Sequence, residues 1–147
     1  MIDLESIHKM WKEDAKINKK LDDASLETPM LHAKYLEIIG HLKMQKRRAE
    51  NAQRILLKQK WLYYNGKMSQ EEISELGWDF DPFQGLKVLK GEMEYYYEAD
   101  IDIQKSEDKI QYIKTCIETV HEIIENVKWR HQTIGNMIKW RQFEAGV

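Results

Sequence analysis

A single cysteine, Cys116, in a chain of 147 residues excludes an intramolecular disulfide and suits a reducing compartment. Cys116 sits beside an apolar stripe, which makes it a buried thiol rather than a nucleophile. No run of eighteen apolar residues occurs, and the first residues lack the apolar core of a signal peptide, so the expectation is an intracellular chain with no membrane span. Enzymatic constellations are missing too. His8, His32, His41, His121 and His131 form no ligand cluster with Cys116, and there is neither an HExxH motif nor a glycine-rich phosphate loop. The acids of residues 92–108 lack the glycine and the spacing of a calcium loop. Neither a catalytic site, nor a metal, nor a cofactor is expected. Two prolines and seven glycines leave long stretches uninterrupted, which predicts an all-α fold of long helices.

What is present is a polarised distribution of charge. The net charge of −2 hides nine basic and two acidic residues over 29–67, a net of +7, and three basic and twelve acidic residues over 68–108, a net of −9. The basic part is concentrated between His41 and Lys60, where neither glycine nor proline occurs. On a helix turning about 100° per residue, Tyr35, Ile38, Leu42, Ala49, Ala52, Leu56 and Tyr63 share one flank. Lys43, Arg47, Arg54, Lys58 and Trp61 share another. Each like-charged i,i+4 pair costs about 0.2–0.5 kcal/mol, a cost that a polyanion would offset by releasing its counterions. A merely solvated basic face is the alternative.

Taken in order, the chain predicts a helix from Asp3 or Leu4 to about Lys20, N-capped by Asp3 and carrying Leu4, Ile7, Trp11 and Ile17 as a thin apolar stripe. Residues 22–28 read as a linker. Thr28 then caps, and Pro29 takes the first position of a basic helix over 29–65 that Gly66 stops. An acidic, aromatic loop follows over 68–83, with Trp78, Phe80 and Phe83 among Glu71, Glu72, Glu75, Asp79 and Asp81. Within it Ser69 and Glu72 have the spacing of a capping box, and Gly77 ends the resulting short helix after two turns. The loop either packs on its own chain or presents itself to a partner. A short or broken helix is expected over 84–98.

From Ile103 the apolar spacing becomes regular, with Ile110, Ile113, Ile117, Val120, Ile124, Val127, His131, Ile134 and Ile138 separated by threes and fours. Leucine is missing from this seam, which points away from a simple two-stranded coil. The isoleucines and valines from Ile110 to Ile138 are therefore expected to hold subunits together, unless the helix merely packs as a hairpin on the basic one. The chain is read as a long-helix bundle in two parts, a single-stranded-DNA-binding region over 1–98 and an oligomerisation region over 99–147. The nucleic-acid reading assigns Lys43, Lys46, Arg47, Arg48, Arg54, Lys58, Lys60, Trp61, Tyr64 and Lys67, because lysines can hold a backbone while bases stack on interleaved rings. No helix-turn-helix or zinc-finger signature supports base-specific readout. The rival reading is a helical scaffold or chaperone that binds proteins through the acidic aromatic segment.

Two patches carry a family resemblance. Leu57, Lys58, Gln59, Lys60, Trp61, Leu62, Tyr63, Tyr64, Asn65 and Gly66 resemble a segment of leucine, lysine, alanine, arginine, leucine, aspartate, two tyrosines, serine and glycine. The ending Arg141, Gln142, Phe143, Glu144, Ala145, Gly146 is the second. Both are found in the UvsY-type recombination mediators of T-even-like bacteriophages, which the chain also resembles in length, element order and acidic middle. The resemblance implies that the DNA-contacting lysine and arginine of that family fall on Lys58 and Lys60. Lysine at 60 loses the arginine's bidentate geometry, tryptophan replaces leucine at 61, and leucine replaces aspartate at 62. It further implies a homo-oligomeric ring, a hexamer or heptamer, that acts in DNA recombination, repair and replication in the cytoplasm of a bacterial host. The implied partners are single-stranded DNA, the phage single-strand-binding protein and a RecA-like phage recombinase.

Overall fold

The computed structural model describes residues 2–18 and 20–146, and among them every regular element is helical. Helix α1 spans Leu4–Asp14, α2 Leu21–Tyr64, α3 Gln70–Leu76, α4 Met93–Glu98, α5 Ile101–Lys128 and α6 Arg130–Glu144, with a 3-10 turn at Lys90–Glu92 leading into α4. By internal contacts the chain forms two compact units, Met1–Lys46 with Tyr112–Val147, and Arg47–Gln111. The division expected between 98 and 99 therefore falls inside the second unit.

Local capping chemistry sets most helix ends. Asp3 accepts from the Ser6 amide at 2.7 Å and starts α1. The Ser69 hydroxyl accepts from the Glu72 amide at 3.2 Å, and Gly77, at φ 72°, closes α3 in the left-handed conformation that glycine alone adopts without cost. Gly66, at φ 68°, follows the end of α2 as expected.

The start of α2 corrects the sequence reading. Residues 22–28 are helical, Pro29 lies inside the helix, and Thr28 donates its hydroxyl to the Ala24 carbonyl at 3.1 Å instead of capping. A proline there leaves the Ser25 carbonyl without its i+4 donor. The preceding turns persist because Asp22 and Asp23 complement the helix dipole and Ala24 is buried. Conversely α1 stops at Asp14, short of Lys20. The Asp14 carboxylate takes up the Lys34 ammonium at 2.6 Å and the Tyr35 hydroxyl at 2.7 Å, while Arg130 donates to the Asp14 carbonyl at 3.1 Å.

The first unit's core joins Ile7 of α1, Tyr35, Ile38, Ile39 and Leu42 of α2, and Cys116, Val120, Ile123, Ile124 and Val127 of α5. Here the second correction appears. Ile110, Ile113, Val120, Ile124, Val127 and Ile134 are buried within the chain itself, Ile117 is half-buried, and Ile138 alone of the eight assigned seam positions is exposed. The seam is the chain's own core, for a heptad spacing records only that one helix face is covered and not by what. The seam helix is also interrupted. Trp129, at φ −93° and ψ 0°, separates α5 from α6, beyond which Ile138, Trp140 and Phe143 turn to solvent.

Candidate nucleic-acid interface

In the second unit the core is aromatic. Tyr63, Tyr64 and Ile73 are buried, with Trp78, Phe83, Met93, Tyr96 and Tyr97 packed against them. Tyr63 meets Trp78 at 5.0 Å between ring centroids, and Phe83 meets Tyr96 edge-on at 4.9 Å. Each such pair adds about 0.5–1.5 kcal/mol beyond its buried area. The acidic aromatic loop thus packs on its own chain through Trp78 and Phe83, and only Phe80 of its three large rings is exposed.

Lys60 stands at the centre of this core. It is 3% exposed. Its ammonium lies 3.0 Å from Asp100 and 2.8 Å from Asp102, and 3.7 Å from the centroid of the Trp78 ring. Asp100 also accepts the Tyr64 hydroxyl at 2.6 Å and, through its other oxygen, the Ile103 amide at 3.0 Å, so that it caps α5 as well. Burial is the largest influence on Asp100 and pushes its pKa up. The Tyr64 hydroxyl, the Ile103 amide and the Lys60 ammonium outweigh it and hold the carboxyl below the usual carboxylate range. Burial first, and then the Asp100 carboxylate, raise the pKa of Tyr64 well above that of a free phenol.

Two residues assigned to DNA from the sequence are therefore placed elsewhere. Lys60 and Tyr64 are buried partners of Asp100 and offer neither a free charge nor a free ring face to a strand. The reason is angular. Residue 60 lies about 130° around α2 from the strip of Arg47, Arg54 and Lys58. The sequence reading gave no role to Asp100 or Asp102 and placed Trp78 in the acidic aromatic loop without linking it to Lys60. The one available signal was Asp100 itself, an acid immediately before Ile101, where α5 begins.

The other assigned residues remain at the surface. Arg47, Arg54 and Lys58 are exposed on one side of α2, and Trp61, 46% exposed, continues the same strip. The Lys67 ammonium lies 4.6 Å from the Trp61 ring centroid, and Arg54 donates to Asn51 at 3.0 Å. Arg48 is exposed on a different side of the helix. Lys43, exposed, and Lys46, half-buried, belong to the part of α2 that lies in the first unit. Among the described residues no group of three or more His, Cys, Asp or Glu side chains could hold a metal ion, and no helix is long and apolar enough to cross a membrane.

A family model described as the recombination, repair and ssDNA binding protein UvsY matches residues 10–147. The chain belongs to the UvsY family. The chain is 27% identical over 144 residues to the recombination protein uvsY of Enterobacteria phage T4, covering 97% of this chain and 98% of that one. Crystal structures of the bacteriophage T4 recombination mediator protein UvsY are similar throughout. One superposes with a TM-score of 0.79 at 25% identity over 99% of both chains, and another with 0.77 at 23% identity over 97% of this chain and 99% of that one.

The Asp100 cluster predicts an acid response. A carboxyl whose folded pKa lies below its unfolded value contributes stability that is complete above the ordinary carboxylate range and is lost as the pH falls below about 3.8. Asp14 adds to this, because Lys34, Tyr35 and Arg130 outweigh its burial and hold its pKa down. Melting temperatures followed by circular dichroism from pH 5 to pH 2 should fall less steeply for Asp100→Asn than for the parent. Parallel curves would exclude the cluster as a source of acid sensitivity.

Proposed function

We propose that this UvsY-family chain is a recombination mediator that binds single-stranded DNA without sequence preference as a homo-oligomer of six or seven subunits. In this role it helps to load a RecA-like recombinase onto DNA covered by a single-strand-binding protein. The observation that carries the reading is the exposed strip of Arg47, Arg54 and Lys58 on α2, with Trp61 and Lys67 at its end. A row of cations on one helix side holds successive phosphates, and each phosphate neutralised releases counterions. Lys43, in the first unit, shares the helical angle of the strip, and Lys46 and Arg48 add positive charge on other sides of α2.

The subunit contact is assigned to the outer side of α6, where Ile138, Trp140 and Phe143 are exposed, rather than to the buried seam. A ring repeats the strip once per subunit, and such avidity raises effective affinity by about 10²–10⁴ without any new contact. The strand is held and curved rather than read, and no bond chemistry is performed by this chain.

A salt titration tests the strip. Replacing Arg54 and Lys58 with alanine should weaken binding of a single-stranded oligonucleotide whatever its sequence and flatten the plot of log affinity against log salt, by about 0.7 in slope per lost phosphate contact. Binding with the parent's affinity and slope, by a variant with unchanged circular dichroism, would remove the strip from the interface.

A further inference from the structure

We propose that the groove beside Trp61 is a subsite for one unpaired nucleobase of the strand held by the cation strip. The proposal rests on the single-strand reading above and adds to it the place where a base leaves solvent. The groove has a volume of about 480 Å³ and is lined by Leu57, Trp61, Asn65, Met93 and Tyr97, all within the second unit. Leu57 and Trp61 are both large, apolar and exposed, one turn apart on α2, and among the described residues no side chain covers them fully.

Continuity with the strip identifies the occupant. Arg54 and Lys58 precede Trp61 by seven and three residues on the same side of α2, so a backbone lying on them arrives at the ring. Lys67, 4.6 Å from the ring centroid, adds a further cation beside Trp61. The interior has the opposite balance. Glu94, Glu98 and Glu107 are on its wall against one cation, Lys90, so the wall disfavours a phosphate drawn inside, whereas a base carries no charge. Asn65 donates to the Tyr97 hydroxyl at 3.2 Å and to the Trp61 carbonyl at 2.7 Å, tying the two aromatic residues of the groove together. The geometry therefore separates the strand, with phosphates on cations and a base against Trp61.

The test compares two labelled probes of equal length on the full chain, oligothymidylate and an abasic oligodeoxynucleotide with the same phosphates and no bases. Trp61→Ala should weaken oligothymidylate binding about 5- to 150-fold, equivalent to the 1–3 kcal/mol of one stacked base, and leave abasic binding unchanged. Trp61→Phe should restore part of the loss. Equal weakening on both probes would overturn the subsite, because the ring would then act through the fold or the cations. No change on either probe would also overturn it while leaving the strip intact. Failure of the parent chain to bind either probe at low salt would overturn the single-strand reading and the subsite together.

Discussion

Lys60→Ala is expected to destabilise the second unit by about 3–5 kcal/mol, the usual cost of removing one partner from a buried ion pair. The substitution leaves Asp100, itself buried, without its ammonium and opens a space under the Trp78 ring. Lys58→Ala, two residues away and exposed, should stay within about 0.5 kcal/mol of the parent and lose affinity for single strands only. Urea unfolding and oligonucleotide binding measured on the same two variants separate these effects. A Lys60→Ala chain as stable as the parent but weak on DNA would return Lys60 to the interface. Pairing Lys60→Met with Asp100→Asn should recover much of the stability, since an uncharged pair in a buried site is often neutral relative to the ionic one.

The second large effect is expected on α5. Ile117→Asp combined with Ile124→Asp should abolish the cooperative helical signal rather than yield folded smaller particles. Ile124 lies in the first unit's core and Ile117 packs against it, so both carboxylates would enter an apolar interior beside Tyr35, Leu42 and Val120. Burying an unpaired charge there adds to the loss of about 1.5–3 kcal/mol for each isoleucine. Trp140→Ser with Phe143→Ser removes rings that are 65% and 74% exposed, and should leave helicity intact while lowering the mass measured by light scattering. A folded monomer from the α5 variant, or an unchanged mass from the α6 variant, would restore the seam as the contact between subunits.

The parts of the fold legible in the sequence are those that local chemistry decides. Asp3, Ser69, Gly66 and Gly77 act within one turn of themselves, and all four stand at helix ends where the sequence puts them. The inward flank of α2 was equally legible, as Tyr35, Ile38, Leu42, Ala49 and Tyr63 are buried, although Ala52 is exposed. Pro29 misled because its fixed φ suits the first helical turn and also tolerates an interior one when the turns before it are anchored by Ala24. The break at Trp129 was invisible because apolar spacing continues unchanged on both sides of it.

The candidate site divides in the same way. Helical angle alone groups Arg47, Arg54, Lys58 and Trp61 and leaves Lys60 out, whereas alignment with the family brings Lys60 in. The structure agrees with the angle. What no local reading supplies is the partner of Lys60, because Asp100 and Asp102 are forty or more residues away and their role exists only once the chain has folded.

The Lys60 cluster has a consequence for how such a sequence can drift. Positions 60, 78, 100 and 102 hold one charge, its roof and its two counter-charges in a shared enclosure. A neutral residue at 60 strands the acid at 100, and a neutral residue at 100 leaves the ammonium with only the half-exposed Asp102. A relative that arrives at an apolar residue in place of Lys60 must therefore have discharged position 100 in the same evolutionary interval. The four positions are expected to change together, because they enclose a charge that never reaches the surface.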